Sequence, residues 1–317
     1  MNSSEKRFSI SAVRCSGELV LRYTILLFGL AFIGLLVYIL SELTISTILS
    51  VAGVVLYISI ITLISWQFLY WRAFGNCIRV SPSQYPEIYN VSNQVRLKLG
   101  LERMPQIFIM QGHGLVEALV AKRFTRKGII IITSNLLDDL SETGNTRALM
   151  MLIGRQMGHI AAGHFKLWFL IDVISILPLI TIFLNTAYWR RCHITADRIG
   201  YMVCGQLSDA EQSLLIITVG KRFAPNTNLD AVREQSDEIV GWWAWVYEII
   251  SSYPYMVDRI IALREFHIKV QHGEIKDLYG KPIQNLSINH TYYAPVQVGI
   301  QMIGDGNSAS QIAPPST

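Results

Sequence analysis

Apolar positions near the N-terminus form two long runs without charged side chains. Residues 23–40 and residues 45–71 contain no Asp, Glu, Lys or Arg, and the short link between them carries one charge, Glu42. A helix that crosses a bilayer needs about 20 mostly apolar residues. The pattern therefore predicts a transmembrane helical hairpin over residues 23–71, preceded by a polar segment at residues 1–22.

The charges around these runs predict an orientation. Lys and Arg side chains precede the first run and follow the second, whereas the link holds Glu42. Cytoplasmic segments of membrane proteins carry an excess of positive charge. We therefore expect an integral membrane protein whose N-terminus and main domain, residues 72–270, face the cytoplasm. No A-x-A-like site follows the first run and the second run comes at once, which favours an uncleaved anchor over a signal peptide.

After the hairpin, segments with apolar residues at helical spacing alternate with short runs that are typical of strands. Residues 83–99 and 143–164 have apolar positions at helical spacing,. Residues 105–110 and 128–133 are short β-branched runs that predict strands,. The expected fold is mainly helical α+β with a small β-sheet. The C-terminal extension, residues 271–317, ends in a polar tail that we expect to be disordered.

A third apolar stretch lies between residues 165 and 191, and Pro178 interrupts it. Proline removes a backbone hydrogen bond and disfavours helix at the preceding residue. Each full crossing needs about 20 residues, so the stretch is too short for two crossings. We therefore predict a membrane-dipping hairpin at residues 167–188, with both ends at the cytoplasmic surface.

Composition agrees with a membrane protein and excludes one class of partner. The chain is 51% hydrophobic and 16% charged, with a mean hydropathy of +0.35. These values are too apolar for an ordinary soluble domain of this length. The net charge of +4 comes without a long run of like charges, so we expect no nucleic-acid partner. The four cysteines have no C-x-x-C spacing and predict neither a zinc ribbon nor a disulfide framework.

Residues 151–164 form a predicted helix that carries a damaged zinc-protease motif. In the intact motif, H-E-x-x-H, two His on one helical face bind Zn²⁺ and the Glu acts as general base. The corresponding positions here are Arg155, Gln156 and His159. A guanidinium has no lone pair for a metal, and an amide cannot accept a proton as a carboxylate does. One ligand position is retained, and the base is lost.

Further segments extend this similarity along the chain, at residues 116–119, 131–137, 193–200 and 252–263. In this order they resemble the HtpX-like membrane zinc metallopeptidases (peptidase family M-48). That family has a transmembrane hairpin, an edge strand, a strand-to-helix step, H-E-x-x-H, E-x-x-A-D-R-x-G and a late H-P pair. The resemblance spans nearly the whole chain up to the C-terminal extension.

The further departures from this family also fall at chemical positions. The third-ligand Glu is replaced by His193, and the late His is replaced by Tyr253. Structural positions of the family, Asp197 and Arg259 among them, are kept. The resemblance therefore implies a zincin-like peptidase fold that has kept its framework and dropped its chemistry.

This resemblance implies a catalytically inactive pseudopeptidase that binds or scaffolds polypeptide partners at the membrane. In the family an extended polypeptide pairs with the edge strand by strand addition. The corresponding residues here are Leu115, Val116, Glu117 and Ala118. The expected partners are the lipid bilayer, of a bacterial-type inner membrane, and a polypeptide or membrane protein. No cofactor is expected.

Two alternatives stay open. An active zinc endopeptidase would use unorthodox ligands, with His159 and His193 as candidates and His164 or Cys192 as a third. Helix geometry argues against His164, because five residues correspond to a rotation that leaves it about 140° from the face of His159. The second alternative is a structural subunit of a membrane complex that uses its hairpins for helix contacts.

A closed site that has lost its metal must be refilled by paired polar groups, or it destabilises the fold. Arg155 supplies positive charge near the place of the cation, and Asp197 is the nearest acidic candidate. We therefore expect an Arg155–Asp197 pair between the two motif helices. Arg155→Ala would then cost about 3 to 5 kcal/mol of stability, the range for breaking a buried pair.

Overall fold

A computed structural model describes residues 8–42, 44–112, 118–121, 128–166, 181–277 and 281–283. The chain is mostly helical, as the sequence predicts. The α-helices in these ranges are α1 (Ile10–Val13), α2 (Glu18–Ser41), α3 (Ile45–Asn76), α4 (Pro86–Lys98), α5 (Ser134–Glu142), α6 (Thr146–Ala161), α7 (Thr186–Cys204), α8 (Leu207–Val219), α9 (Leu229–Glu238), α10 (Trp242–Ile250) and α11 (Met256–Gln271). A π-helical turn, Thr181–Asn185, leads into α7, and a 3₁₀ turn, Ala224–Asn226, follows α8.

The strands form one small mixed sheet. They are β1 (Ile78–Arg79), β2 (Gln106–Met110), β3 (Ala118–Ala121) and β4 (Ile129–Thr133), in the order β1-β2-β4-β3. The central strands β2 and β4 run parallel, and each terminal strand is antiparallel to its neighbour. Ile107, Ile130 and Ile132 are buried, which explains why the two β-branched runs form the central strands. Strand β3 therefore lies at one end of the sheet.

The N-terminal helices α2 and α3 are long and apolar enough to cross a membrane. Their candidate spans are Glu18–Ile39 and Ile45–Ser65, of which 17% and 0% are buried. A core helix of a soluble protein would be mostly buried, whereas exposed apolar area of this extent marks contact with a partner or a membrane. Two apolar helices are thus present where the hydrophobic pattern predicts the hairpin.

The first turns of α2 pack onto the rest of the protein. Glu18, Arg22 and Ile25 are buried, and their spacing places them on one helical face. This face lies against α7, where Ile25 packs with Tyr188 and Cys192. The end of the segment 1–22 therefore contributes side chains to the main domain.

Helices α6 and α7 pack closely because glycines line their contact. A Cβ atom at Gly200 would lie 2.5 Å from Met151 Sδ and 2.8 Å from the Met151 carbonyl oxygen. A Cβ atom at Gly158 would lie 3.0 Å from Ile199 Cγ2. The two helices that carry the motif residues can approach this closely only because these side chains are missing.

Helix α6 begins and ends at residues that satisfy its terminal backbone groups. The Asn145 side chain accepts hydrogen bonds from two backbone N–H groups of the first turn, the usual role of an N-cap. The helix ends at Ala161, and Gly163 follows with φ of +71°, a conformation that glycine adopts without steric cost. The prediction that the helix continues to His164 is wrong, because the chain turns before that residue.

Some predicted features lie outside the described residues. They are the start of the membrane-dipping hairpin at residues 167–180, the edge positions Leu115, Val116 and Glu117, and the tail at residues 284–317. The end of the predicted hairpin is helical, because the turn Thr181–Asn185 continues directly into α7.

Candidate functional site

The motif positions of both helices meet in the interior of the domain. Arg155, Gln156 and His159 lie on α6, and His193 and Asp197 lie one turn apart on α7. Each side chain is buried, with an exposed fraction between 2% and 8%. The fold thus brings together the residues that the sequence singles out, in a site that excludes most water.

Arg155, Asp197 and Arg259 form a cluster of two guanidiniums around one carboxylate, here called the arginine cluster. Arg155 Nε lies 2.8 Å from Asp197 Oδ1. Arg259, on α11, donates from Nε to Asp197 Oδ2 and from Nη2 to Oδ1, both at 2.8 Å. The ion pair predicted between Arg155 and Asp197 is confirmed. The sequence did not predict that Arg259 also binds this carboxylate.

The arginine cluster is rich in positive charge. Burial and the neighbouring Arg259 lower the pKa of Arg155 to about 10, while the Asp197 carboxylate opposes this shift. Arg155 therefore stays protonated at neutral pH. Burial and the same two guanidiniums lower the pKa of His193 well below its ordinary value. Two cations thus share one anion, and His193 beside them is neutral.

His193 lies between the arginine cluster and the half-exposed Tyr253. The His193 and Tyr253 rings stack with centroids 4.1 Å apart and an interplanar angle of 17°. His193 Nδ1 lies 3.4 Å from Arg155 Nη2. Tyr253 is 47% exposed, whereas the degenerate positions on α6 and α7 are buried. The Tyr253 ring therefore lies between His193 and solvent.

The residues at the position predicted from the damaged zinc motif do not fit Zn²⁺. Arg155 offers no lone pair to a metal, and Gln156 cannot serve as a carboxylate base. Arg155 and Arg259 place two positive charges around Asp197, and repulsion between like charges is strong where water is excluded. A zinc ion at this position would lack its first protein ligand, and peptide hydrolysis there would lack a general base.

His159 lies between the arginine cluster and a second group of polar side chains. Its ring centroid is 5.1 Å from that of His193, and its Nδ1 lies 2.9 Å from His164 Nδ1. The expectation that His164 points away from His159 is wrong, because α6 ends at Ala161 and the chain turns afterwards. Burial lowers the pKa of both His159 and His164. Both imidazoles are therefore neutral at neutral pH.

Glu18, His164 and Cys192 form this second group, here called the donor cluster. Their oxygen, nitrogen and sulfur atoms all lie within 4.8 Å of one another, and the three side chains are buried. They come from the start of α2, the turn after α6, and α7. Sequence reasoning missed Glu18. The available signal is the pair Glu18 and Arg22 at the start of an otherwise apolar helix, because charged groups there require partners.

Two side chains besides His164 contact the Glu18 carboxylate. Thr195 donates from Oγ1 to Glu18 Oε2, and Arg14 donates from Nη1 to Oε1. Arg14 and Arg22 also donate to backbone carbonyls in the turn after α6. These bonds hold the beginning of α2 against the α6–α7 pair.

The predicted edge position Ala118 begins β3, the terminal strand of the sheet. Within the described part of the chain, β4 is the strand that pairs with β3. The outer side of such a strand presents backbone N–H and C=O groups for pairing. Strand β3 also lies beside α6, the helix that carries Arg155 and His159.

No protein-family model, no curated protein and no solved structure matches this chain. The resemblance to the HtpX-like peptidases therefore rests on the motifs and on their order along the sequence.

Proposed function

We propose that this chain is a membrane-anchored pseudopeptidase of the HtpX-like type that binds extended polypeptides without cleaving them. The observation that carries the proposal is the arginine cluster. Where a zinc peptidase needs an ion held by neutral or anionic ligands, this chain has Arg155 paired with Asp197 at 2.8 Å. The buried position is thus occupied by two guanidiniums around one carboxylate.

The loss of chemistry concerns several positions that act together. A zinc peptidase uses its metal to activate a water molecule and its Glu to take the proton from that water. Here the first ligand is Arg155, the base is Gln156 and the third ligand is His193. Because ligands and base act as a unit, no single reversion of these residues restores hydrolysis.

Membrane anchoring is supported by exposed apolar surface that extends beyond α2 and α3. Helix α10 exposes Trp242 and Trp243, by 65% and 79%. Tryptophan is enriched where a membrane meets water. Helix α10 contacts the turn Thr181–Asn185, which in turn contacts α2, so these apolar surfaces are neighbours. With the charge bias around α2 and α3, this supports an integral protein of a bacterial-type inner membrane, its main domain in the cytoplasm.

Polypeptide binding is supported by the position of β3. An extended peptide can add to the outer side of a terminal strand through backbone hydrogen bonds, without requiring a particular sequence. The opposite terminal strand, β1, has two residues and offers a much shorter edge. We therefore assign the binding edge to β3.

Backbone methylation of a peptide tests this assignment. The probe is a labelled peptide of alternating valine and threonine, compared with copies methylated at the backbone nitrogens of one edge or of the other. A peptide added to β3 forms hydrogen bonds through the N–H groups of one of its two edges. Methylation of the nitrogens on that edge should weaken binding at least about tenfold. Methylation of the nitrogens on the opposite edge should leave binding unchanged. A photoreactive residue at Leu119 in β3 should capture the peptide, whereas one at Ile78 in β1 should not. Absent binding, or equal capture at both positions, would contradict the proposal and favour a structural role for the apolar helices.

A second function, zinc endopeptidase with unorthodox ligands, draws on one observation. The rings of His159 and His193 lie 5.1 Å apart, and both are neutral, as metal ligands must be. Such an ion would lie close to Arg155 and would lack a carboxylate base. Chelator-sensitive hydrolysis by the purified chain would favour this function over the pseudopeptidase.

A further inference from the structure

Three different metal-ligand types meet at the donor cluster. Glu18 offers a carboxylate oxygen, His164 an imidazole nitrogen and Cys192 a sulfur, and all these atoms lie within 4.8 Å of one another. The exposed fractions of the three residues are 1%, 0% and 0%. Sites of this mixed composition suit zinc and related divalent ions, which accept thiolate, imidazole and carboxylate ligands together.

His164 gives an independent indication that a ligand belongs in this cluster. Its Nε2 atom is fully buried and makes no hydrogen bond among the described residues. The atom lies 3.3 Å from Glu18 Oε1. A buried polar atom without a partner is costly and calls for an explanation. This nitrogen therefore borders the space that the three side chains share.

We propose that Glu18, His164 and Cys192 bind a divalent metal ion of the zinc type. Two ligand atoms at about 2.0 to 2.1 Å from a tetrahedral zinc are about 3.3 Å apart, and His164 Nε2 and Glu18 Oε1 have this separation, 3.3 Å. The separations to the Cys192 sulfur need to shorten by at most about 1.3 Å, because a sulfur and a nitrogen or oxygen bound to one tetrahedral zinc are about 3.6 Å apart. A water molecule or the second Glu18 oxygen completes the coordination.

The neighbouring His159 fixes the tautomer that this site requires. Nδ1 of His164 lies 2.9 Å from Nδ1 of His159. If His164 carries its proton on Nδ1 and donates it to His159, its Nε2 lone pair is free for the ion. Metal-binding imidazoles commonly donate their second N–H in this way, which orients the ring. His159 is thus a positioning residue for this site.

Protons and charges determine when the ion binds. Burial raises the pKa of the Cys192 thiol well above its ordinary value, so the ion must displace the thiol proton to form the thiolate bond. Arg14 is the competing cation, since it donates to Glu18 Oε1, while Thr195 holds Oε2. An ion with two positive charges balances the Glu18 carboxylate and the Cys192 thiolate.

This site differs from the position that carries zinc in the peptidases. It consists of Glu18, His164 and Cys192 and contains none of the motif positions Arg155, Gln156, His159 and His193, and it joins the start of α2 to α7. Its burial leaves no approach for a substrate, which is typical of a structural ion. The inference does not depend on the proposed pseudopeptidase function.

X-ray absorption on the full-length chain in detergent, with zinc as the probe, tests the site without any substitution. After removal of excess metal, we expect one zinc per chain, with one sulfur neighbour at about 2.3 Å and nitrogen or oxygen neighbours at about 2.0 to 2.2 Å. Absence of retained zinc, or a zinc shell without sulfur, would overturn the proposal.

Two matched cysteine variants locate the sulfur. Cys192→Ser should remove the sulfur neighbour and weaken zinc binding at least about tenfold, whereas Cys204→Ser should leave both unchanged. Cys204 is the suitable control because it lies on the same helix and is also buried. His193→Gln, at the arginine cluster, should likewise retain the ion. Zinc that is lost in His193→Gln and kept in Cys192→Ser would assign the ion to the motif histidines and refute the donor cluster.

Discussion

The arginine cluster and the donor cluster are two buried polar groups, and His159 connects them through its contacts with His193 and His164. In the arginine cluster, two guanidiniums surround one carboxylate with contacts of 2.8 Å. In the donor cluster, a carboxylate, an imidazole and a thiol converge, and one imidazole nitrogen lacks a hydrogen bond within the described residues. The first holds two guanidiniums on its carboxylate, whereas the second holds one, that of Arg14, beside an imidazole and a thiol that can act as metal ligands.

The type of buried side chain decides which of the two clusters can accept a metal ion. A guanidinium has donors and no lone pair, so each Arg added to a site both fills it and repels a cation. Imidazole, thiol and carboxylate groups can change protonation and bind a metal. Arg155 therefore leaves no room for a cation in the arginine cluster, while the donor cluster keeps groups that can hold an ion.

The largest expected loss of stability follows from removing Asp197, the carboxylate that Arg155 and Arg259 share. Asp197→Ala leaves Arg155 and Arg259 buried without their carboxylate, and we expect a loss of about 3 to 5 kcal/mol of stability. Arg155→Met should cost about 1 kcal/mol or less, because Arg259 keeps its two bonds to Asp197 and an apolar side chain replaces a buried cation. Thermal unfolding in detergent measures both. Equal losses would show that Arg155 and Arg259 do not share Asp197 as described.

This ordering differs from the expectation drawn from the sequence, in which Arg155→Ala costs about 3 to 5 kcal/mol. From the motif residues alone, removal of Arg155 is expected to cost the stability of a broken buried ion pair, because Asp197 is its predicted partner. The bidentate contact of Arg259 with Asp197 could not be predicted, since it comes from a helix far along the chain. With that contact in place, removal of Arg155 leaves no unpaired carboxylate.

The next effect is a loss of stability in mild acid. Burial lowers the pKa values of His159, His164 and His193 in the folded chain, whereas an unfolded His titrates near 6.5. Below about pH 6.5 the unfolded chain therefore binds protons that the folded chain does not. Stability is fully present above that pH and falls below it, by at most about 1.4 kcal/mol per pH unit for each imidazole.

Unfolding midpoints between pH 7.5 and 5, measured with a chelator present, check this expectation. His159→Gln should flatten the dependence, because one of the buried imidazoles is gone. The exposed His272 offers a matched control, and His272→Gln should leave the slope unchanged. A parent protein with constant stability across this range would contradict the assignment of buried neutral imidazoles.

Much of the fold follows from the sequence pattern, because its signals are local. The uncharged runs predict α2 and α3, the β-branched runs predict β2 and β4, and small residues at Gly158 and Gly200 permit the close helix pair. The prediction of the Arg155–Asp197 pair comes from the resemblance, which places the two motif helices together, and from the need to fill a buried site that has lost its metal. The zincin-like fold and the pseudopeptidase function stay predictions that rest on the resemblance.

The donor cluster could not be predicted from the sequence for two physical reasons. A helical wheel assumes that the helix continues, whereas α6 ends at Ala161 and the turn at Gly163 brings His164 back to His159. Glu18 precedes His164 by almost half of the chain, so no spacing rule relates them. The glycine at position 163 was the local signal for the end of the helix.

A smaller effect tests the helix contact on which both clusters depend. In Gly200→Ala the new methyl group would lie 2.8 Å from the Met151 carbonyl oxygen, so α6 and α7 must separate. We expect a loss of about 1 to 3 kcal/mol, the cost of overpacking. Gly34→Ala is the control, because nothing lies within 4 Å of a Cβ there, and a helical Gly→Ala change is neutral or favourable by up to about 1 kcal/mol. Equal stability of the two variants would contradict the close contact.

The most direct test of the central claim is proteolysis by the purified full-length chain with zinc supplied. Because Arg155 cannot bind the ion and Gln156 cannot take a proton, casein-like and membrane substrates should be hydrolysed no faster with zinc than with a chelator. The triple change Arg155→His, Gln156→Glu and His193→Glu is the variant in which chelator-sensitive hydrolysis should appear. Chelator-sensitive turnover by the parent chain that disappears in His159→Ala would contradict the account.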